Sequence, residues 1–494
     1  MPRQVNQLSI RKASFLSILS GILSALPYTN GNLWIFAWIG FVPLFFALRG
    51  RSRAQAFLLS FLAGIIFWSG TVWWLVHVTL AGTILLILYL SLYFGLFGLL
   101  TSPYLLPTTY CLLFLPSTWV LLEYLRSRIL SGFPWALLGY SQYLNLPVIQ
   151  AADITGAWGI SFLIVLVNAA IYLALLRKQK SAVILSILCL LLSLGYGYYK
   201  IGYFSENTGS GTLKISAVQG NIAQDLKWEG AYRDFIMGRY IDLTLQAARD
   251  NPDLIIWPEA SLPVVLEEEP FYYERVKNLT RQIGIPILLG AVTLRNGNYY
   301  NSAILVSAQG NSSGMYDKVH LVPFGEYIPL RKILGFLETI APIGDITPGK
   351  EYKVFENPVK FSVLICFEDL FPELSRRFVR EGAQVLVNIT NDAWYKKSPA
   401  AYQHLAASVL RAVENRVSLV RSANTGVSCF IAQNGYITSY VKDKPGNTIF
   451  VSGYSTRDIY AGKKEPGFYT LHGDVFILLL FILEAYIIFR RRRI

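Results

Sequence analysis

Long apolar runs constrain this chain more than any other feature of its sequence. A helix that spans a bilayer needs about 20 predominantly apolar residues. The chain contains eight candidate spans, near 13–29, 32–48, 55–79, 81–102, 104–122, 158–176, 181–200 and 474–489. Prolines at 103, 107 and 116 interrupt the apolar stretch that holds the third to fifth candidates, so their edges are the least sharply defined. The sequence therefore predicts a multi-span α-helical membrane domain.

Basic residues in the short loops predict the orientation of these spans. Lysine and arginine collect in the cytoplasmic loops of membrane proteins. Basic clusters occur before the first span (Arg3, Arg11 and Lys12) and at 49–53, 177–180 and 490–493. With eight spans and a cytoplasmic N-terminus, all four clusters fall on the cytoplasmic side. Only Arg126 and Arg128, which lie beside Glu123, go against the rule.

This orientation divides the chain into three parts. We expect a membrane domain of about seven transmembrane helices at 1–202 and a domain outside the cytoplasmic membrane at 203–472. A C-terminal transmembrane helix with a cytoplasmic arginine cluster is expected at 473–494. The domain at 203–472 is therefore expected on the outer face of this membrane.

The outer segment has a different residue pattern from the rest of the chain. Short runs rich in Val and Ile alternate there with amphipathic stretches, which is typical of an α/β fold with buried strands. The runs include LKISAV, DLIIWPE, IPILLGAV, SAILVSA, FSVLICFE and QVLVNIT. We therefore expect one α/β domain between the membrane parts.

Charge and cysteine content exclude two classes of function. The formal net charge is +13, but many basic residues stand in short clusters beside apolar runs, which favours a membrane over a nucleic-acid partner. Only 15% of the residues are charged, against about 25% in a soluble domain. The four cysteines and four histidines are scattered without the spacing of a zinc site. Neither nucleic acid nor a metal is expected.

Three predicted strands end in polar residues that a buried strand does not require. DLIIWPEAS ends near Glu259, YDKVHLVPFGEY contains Lys318 and Glu326, and FSVLICFED contains Cys366. Each of these residues also has an ordinary structural interpretation. A buried cysteine, for example, is most often a small core residue. Functional groups nevertheless collect at the carboxyl ends of strands in α/β sheets. Their joint occurrence predicts one catalytic pocket.

These motifs resemble a known family. WPEAS, DKVHLVPFGEYIP and CFED together are similar to the Glu-Lys-Cys signature of the nitrilase, or carbon-nitrogen hydrolase, superfamily. VQGNIAQDLKWEG at 218–230 strengthens the match, because members carry a similar stretch. With spans before and after it, the whole chain resembles the apolipoprotein N-acyltransferase family. The resemblance implies an α-β-β-α sandwich for the α/β domain. It also implies a location in a bacterial cytoplasmic (inner) membrane, with the 203–472 domain on the periplasmic or outer face.

The resemblance also implies roles for individual residues. It makes Glu259 the general base, Lys318 the oxyanion stabiliser and Cys366 the nucleophile. Positions that support the site or contact substrate are matched by Glu326, Glu368, Trp228 and Phe367. Phe367 stands where many members have tyrosine, so no hydroxyl role is inferred there, although its backbone N–H is available to an oxyanion. No metal or organic cofactor is implied.

Elementary chemistry gives a reason for such a trio. A thiol and a carboxylate differ in pKa by about 4 units, which opposes proton transfer by roughly 5.7 kcal/mol. An ammonium beside the cysteine is expected to favour the thiolate. The same ammonium can then stabilise the oxyanion that forms when the thiolate attacks a carbonyl group.

Three functions are compatible with these features. The first is transfer of a fatty acyl group from a phospholipid, through a cysteine thioester and ping-pong kinetics, to the α-amino group of a diacylated apolipoprotein. The second is a membrane-tethered nitrilase-type amidase that releases the acyl group to water. The third is a catalytically inactive binding module on a membrane base. The intact Glu259, Lys318 and Cys366 favour an enzyme, and seven spans exceed what a tether requires.

One amphipathic stretch has two open interpretations. Apolar residues recur at roughly helical spacing in YIPLRKILGFLETIAPIG (327–344), next to Arg331 and Lys332. The stretch either packs on the α/β domain or forms a lid at the membrane surface, where basic side chains meet lipid phosphates.

Overall fold

The structure is a computed structural model that describes residues 7–105, 109–176, 180–206, 211–328, 345–462 and 466–491. Most of the 327–344 stretch, residues 329–344, lies outside this range. The chain divides into two compact units. The first comprises Met1–Ser205, Ser398–Ala406 and His472–Ile494, and the second comprises Glu206–Lys397 and Ala407–Leu471.

Helices occur in both units and are numbered here in chain order. The α-helices are α1 (Ile10–Thr29), α2 (Val42–Leu48), α3 (Arg53–Val72), α4 (Leu80–Thr101), α5 (Thr109–Arg126), α6 (Leu146–Ile149), α7 (Ala152–Thr155), α8 (Ala157–Leu175), α9 (Lys180–Glu206), α10 (Arg233–Ala248), α11 (Pro270–Ile283), α12 (Pro372–Arg380), α13 (Ala400–Asn415), α14 (Phe468–His472) and α15 (Val475–Arg491). Short 3-10 helices lie at Gly31–Trp38, Trp73–His77, Ser102–Tyr104, Ile129–Ser131, Leu138–Gln142, Gly230–Tyr232, Cys366–Leu370 and Asp392–Tyr395.

The described strands all belong to the second unit. They are β1 (Thr212–Gln219), β2 (Leu254–Ile256), β3 (Ile287–Arg295), β4 (Asn298–Val306), β5 (Ser312–Asp317), β6 (Phe355–Glu356), β7 (Lys360–Ile365), β8 (Val385–Thr390), β9 (Ser418–Ala423), β10 (Cys429–Ile431), β11 (Ile437–Tyr440) and β12 (Gly453–Tyr460).

Five helical segments of the first unit are long and apolar enough to cross a membrane, within the part of the chain that the structure describes. They are Gly31–Leu48, Arg53–His77, Leu80–Tyr104, Ala157–Leu175 and Val183–Tyr203. The first of these is not one continuous helix, because a 3-10 helix precedes α2. The other three predicted spans, near 13–29, 104–122 and 474–489, are helical as α1, α5 and α15. The apolar composition of these segments gives the unit its membrane character.

The two arginines that oppose the charge rule both have partners within the first unit. Arg126 is buried, and its Nη1 donates hydrogen bonds to the carbonyl oxygens of Phe133 (2.7 Å) and Trp135 (2.8 Å). Arg128 pairs with Asp474 at 3.0 Å. Arg126 therefore has a structural reason to stand at the end of α5, because its side chain binds backbone carbonyl groups inside the unit.

Gln403 links several parts of the first unit through its side-chain amide. Its Nε2 donates to the carbonyl oxygens of Tyr28 (2.8 Å) and Thr71 (2.9 Å). Its Oε1 accepts from the indole N–H groups of Trp135 (2.7 Å) and Trp74 (3.2 Å). These bonds satisfy a buried amide completely, and they explain why Ser398–Ala406 groups with the helices although it lies between β8 and β9 in sequence.

The second unit is built on two six-stranded sheets. One sheet has the order β12-β1-β2-β3-β4-β5 and the other β11-β10-β9-β8-β7-β6. The neighbours β1, β2 and β3 are parallel, as are β7, β8 and β9, and the flanking strands are antiparallel. This pattern explains why the central strands read as continuous apolar runs, since parallel strands are covered on both faces.

The two sheets face each other, and helices cover their outer faces. Ser422 of β9 donates to the carbonyl oxygens of Val218 (2.9 Å) and Ile256 (3.2 Å) on the opposite sheet. A buried apolar cluster joins the first sheet to α10 and α11, and α12 packs against β7. The predicted α-β-β-α sandwich is confirmed.

Candidate active site

Glu259, Lys318 and Cys366 come together because each follows the end of a strand. Glu259 lies after β2, Lys318 directly after β5, and Cys366 directly after β7. The Nζ atom of Lys318 lies 3.8 Å from Oε1 of Glu259. The charges of Glu259 and Lys318 both shift the pKa of the Cys366 thiol. The edges of two facing sheets thus bring a carboxylate, an ammonium and a thiol into one site.

Lys318 is held most closely by Glu326. Its Nζ lies 2.9 Å from Oε1 and 2.8 Å from Oε2 of that carboxylate, and the lysine side chain is only 1% exposed. Burial lowers the pKa of Lys318, but the carboxylates of Glu326 and Glu259 more than offset this effect, so the pKa lies above its ordinary value. The ammonium therefore keeps its positive charge at physiological pH.

Asn301 of β4 connects the two carboxylates. Its Nδ2 donates to Oε1 of Glu259 (2.7 Å) and to Oε1 of Glu326 (3.0 Å). The backbone carbonyl of Asn301 also accepts a hydrogen bond from the N–H of Lys318 at 2.8 Å. One strand residue thereby sets the positions of all three charged groups.

Cys366 has an uncommon backbone conformation. Its φ is 54°, in the left-handed region that residues other than glycine seldom adopt. The turn is held from two sides, since the Ile365 N–H donates to Oε2 of Glu368 (2.8 Å) and Nδ2 of Asn388 donates to the Cys366 carbonyl (3.1 Å). This turn ends β7 and starts a 3-10 helix at Cys366, the predicted nucleophile.

The surroundings of Cys366 favour the protonated thiol. Burial raises the pKa of Cys366 well above its ordinary value, and the Glu259 carboxylate raises it further, while Lys318 and a hydrogen bond with Thr390 lower it. The expectation that the ammonium favours the thiolate gives the right sign for Lys318 alone, but burial outweighs that effect. Attack by Cys366 therefore requires a base that removes the proton.

Glu368 is fully buried and works as a backbone anchor. Its two oxygens accept hydrogen bonds from the N–H groups of Val319 (2.8 Å), His320 (3.1 Å) and Ile365 (2.8 Å) and from the Tyr316 hydroxyl (2.9 Å). Burial raises its pKa to about 7. These bonds join the segment after Lys318 to the turn at Cys366, so Glu368 supports the site by fixing two loops.

The two aromatic positions differ in exposure. The ring of Phe367 is buried, and its centroid lies 5.4 Å from that of Phe371 and 6.4 Å from that of His320. It therefore packs in the loop core. Trp228, by contrast, is 45% exposed and follows a buried lysine, Lys227. The contact of Trp228 with substrate stays a prediction.

Arg421 carries a buried network that the sequence analysis missed. Its guanidinium bonds to Asp369 (2.9 Å), Asp392 (3.1 Å) and Oδ1 of Asn388 (2.8 Å). Asn388 in turn holds the carbonyl of Cys366. The sequence contains one sign of this network, a single charged residue inside the apolar run SLVRSA. A charge in a buried strand requires partners.

Lys227 is the second missed residue. Its Nζ donates to the backbone carbonyl of Glu259 at 3.1 Å, and it is only 3% exposed. Its sequence signal was its place in the VQGNIAQDLKWEG stretch.

Among the described residues, no three His, Cys, Asp or Glu side chains are grouped so that they could hold a metal ion.

This arrangement suits acyl transfer through a covalent intermediate. The Cys366 thiol lies within the field of a carboxylate that can accept its proton and of an ammonium that stays charged. A nucleophile with an adjacent base and a fixed cation is the requirement for attack on a carbonyl and stabilisation of the resulting oxyanion.

Comparison with known proteins identifies two families along the chain. Residues 20–170 match the apolipoprotein N-acyltransferase N-terminal domain, and residues 214–452 match carbon-nitrogen hydrolase. The chain is 37% identical to an apolipoprotein N-acyltransferase of Geobacter metallireducens, over 94% of this chain and 92% of the relative. It is 30% identical to an apolipoprotein N-acyltransferase of Chlorobaculum tepidum, over 85% and 87% of the two chains.

One solved structure is similar to about half of this chain. A mutant amidase of Nesterenkonia from the nitrilase superfamily is 18% identical to it, with a TM-score of 0.39. The match covers 51% of this chain and 92% of that chain.

Proposed function

Because this chain belongs to the apolipoprotein N-acyltransferase family, we propose that Glu259, Lys318 and Cys366 carry out its acyl transfer. The chain is an acyltransferase with a carbon-nitrogen hydrolase domain. In the proposed reaction, Cys366 takes a fatty acyl group from a phospholipid and passes it to the α-amino group of the N-terminal diacylglyceryl-cysteine of an apolipoprotein. The observation that carries this assignment is the contact of Lys318 with both Glu326 and Glu259 in the field of the Cys366 thiol.

The first half-reaction forms a thioester. Glu259 accepts the proton of the Cys366 thiol as the sulfur attacks the ester carbonyl of the phospholipid. The oxyanion that forms is stabilised by the Lys318 ammonium, which Glu326 holds in place, and by the backbone N–H of Phe367. When the carbon–oxygen bond breaks, Glu259 returns its proton to the departing lysophospholipid oxygen. Atoms and charge balance with no cofactor in the step.

The second half-reaction moves the acyl group to nitrogen. The acceptor amine enters in its neutral form and attacks the thioester carbonyl. Glu259 takes a proton from the nitrogen, and the carbon–sulfur bond breaks. The departing thiolate then receives that proton, which restores the thiol that burial favours. Two bulky lipid substrates can thus use one nucleophile in succession.

The proposed location follows from the substrates and the charge pattern. We place the first unit in a bacterial cytoplasmic (inner) membrane and the second unit on its periplasmic or outer face, where diacylated lipoproteins are anchored. Basic clusters at 49–53 and 490–493 support this orientation under the positive-inside rule.

Purified full-length protein with labelled phospholipid and a diacylated lipopeptide tests the proposal. We expect an N-acylated lipopeptide and one lysophospholipid for each product formed. Release of free fatty acid in place of the N-acyl product would favour the hydrolase alternative and overturn the proposed acceptor. Boiled enzyme and protein-free vesicles are the controls for spontaneous transfer.

A further inference from the structure

A second lysine beside the site, Lys227, has no role in the reaction described so far. It lies in the loop that follows β1. Asn424 fixes the start of this loop, since its backbone carbonyl accepts from the Asn221 N–H (2.9 Å) and its side chain exchanges hydrogen bonds with Ile222 (2.8 and 2.7 Å). Gln224 is held by Asn391 at 2.8 Å. The loop therefore holds Lys227 in a defined place.

The ammonium of Lys227 has little hydrogen bonding for a buried charge. It is 3% exposed and donates to the Glu259 carbonyl at 3.1 Å. An ammonium has three N–H donors, and within the described part of the chain this carbonyl is the one acceptor that Lys227 reaches. A buried charge costs free energy unless it is compensated, so its place beside the site calls for an explanation.

The charges of the site provide that explanation. Lys318 contacts both oxygens of Glu326 at 2.9 and 2.8 Å but lies 3.8 Å from Glu259. Its charge is therefore committed mainly to Glu326. Two carboxylates are linked through Asn301, and a single ammonium would leave the site with one excess negative charge. Transfer of the thiol proton to Glu259 moves this charge to the sulfur and does not remove it.

We propose that Lys227 is a positioning residue for the acyl transfer: its ammonium fixes the backbone at Glu259 and supplies the second positive charge that the deprotonated Cys366 requires. The inference rests on the proposed function of Glu259 and Cys366. Lys227 acts through Glu259 and through its charge, and it contacts no reacting atom.

The protonation of Lys227 gives this role a pH dependence. Burial lowers its pKa to about 8, against the opposing effects of Glu259 and Cys366, whose negative charges favour the ammonium. These two groups act on Lys227 directly, and Lys318 and Glu326 lie next to them. As pH rises through about 8, Lys227 becomes neutral and the site loses its second positive charge.

Formation of the acyl-enzyme from about pH 6 to about pH 10 tests the proposal in the full-length protein with phospholipid vesicles. We expect the wild-type rate to fall above about pH 8. Lys227→Met should lower the rate at pH 7 by about 10- to 100-fold, the size expected for a lost buried hydrogen bond to a charged group, and should remove the alkaline fall. Lys227→Arg, which stays charged in this range, should remove the fall and recover part of the rate.

A matched control is Lys214→Met, because Lys214 also donates to a backbone carbonyl, that of Asp250 at 3.2 Å, but at the surface. It should leave the rate and the pH profile unchanged. If Lys227→Met or Lys227→Arg keeps the wild-type alkaline fall, the charge role is wrong, whatever the rate. If wild-type protein forms no acyl-enzyme at any pH, the proposed function itself fails, which distinguishes the two outcomes.

Discussion

Lys318 and Glu326 form a two-point ion pair in which Nζ lies 2.9 Å from one carboxylate oxygen and 2.8 Å from the other. Glu326 is therefore the residue that determines where the ammonium stands. Lys318 is closer to this carboxylate than to the proposed base, Glu259, at 2.8 Å against 3.8 Å. The supporting acid thus has a defined part in the site.

Glu326→Gln should reduce kcat strongly. It removes the charge that compensates buried Lys318, and leaving one buried charge unpaired costs about 3–5 kcal/mol, so we expect a loss of at least about 10²-fold. Steady-state N-acylation measures it. Glu381→Gln removes a surface partner of Arg377 and should leave kcat unchanged. Equal rates for Glu326→Gln and wild type would show that Lys318 does not depend on this pair.

Cys366→Ala, Glu259→Gln and Lys318→Ala should each abolish turnover while membrane insertion persists. Residues that act as a unit lose nearly all activity when one is removed. Turnover and the membrane fraction are measured for each variant. Cys429→Ala, at a buried cysteine in β10, is the control and should remain active. A variant that retains substantial turnover would remove its residue from the proposed role.

Enzyme mixed with phospholipid alone should gain the mass of one acyl chain. A thioester at Cys366 forms before the acceptor binds, so the adduct should be cleaved by neutral hydroxylamine and be absent from Cys366→Ala. Intact-protein mass spectrometry measures it. The two-step mechanism is wrong if lysophospholipid appears only when the acceptor lipopeptide is present and no acylated protein accumulates.

Alkylation of Cys366 by iodoacetamide should rise steadily with pH. Since burial raises the pKa of this thiol well above its ordinary value, the reactive thiolate is scarce at pH 7 and grows about tenfold for each pH unit below that pKa. Peptide mass spectrometry between about pH 7 and pH 9 follows the residue itself. Lys318→Met should be alkylated more slowly than the wild type at each pH, because it lacks the ammonium that lowers the pKa of Cys366. A plateau already present at pH 7 would contradict a protonated resting thiol.

Arg421→Gln should destabilise the second unit. It leaves Asp369 and Asp392 buried without their cation, at a cost of about 3–5 kcal/mol, and it loosens the Asn388 contact to Cys366. Thermal unfolding in detergent should show a lower midpoint. Arg457→Gln, at an exposed arginine that donates to the neighbouring carbonyl of Thr456, should keep the wild-type midpoint. An unchanged midpoint for Arg421→Gln would show that the network contributes little.

Sequence alone determined the features that depend on local composition. The length and apolarity of the runs predicted helices at all eight candidate spans, because spanning a bilayer is a property of one continuous segment. Period and β-branched content predicted the buried strands. Motif resemblance selected Glu259, Lys318 and Cys366, since each stands at the end of a strand where an apolar pattern breaks.

Tertiary structure decided what depends on burial and on partners distant in sequence. It grouped Ser398–Ala406 with the helical unit through the hydrogen bonds of Gln403. It made Glu368 an anchor for two loops and brought Lys227 to the backbone of Glu259. It also decided the direction in which the pKa of the Cys366 thiol shifts, because desolvation raises this pKa more than Lys318 lowers it. A sequence shows which charges are present, but their free energies depend on the solvent and the partners that only the folded chain provides.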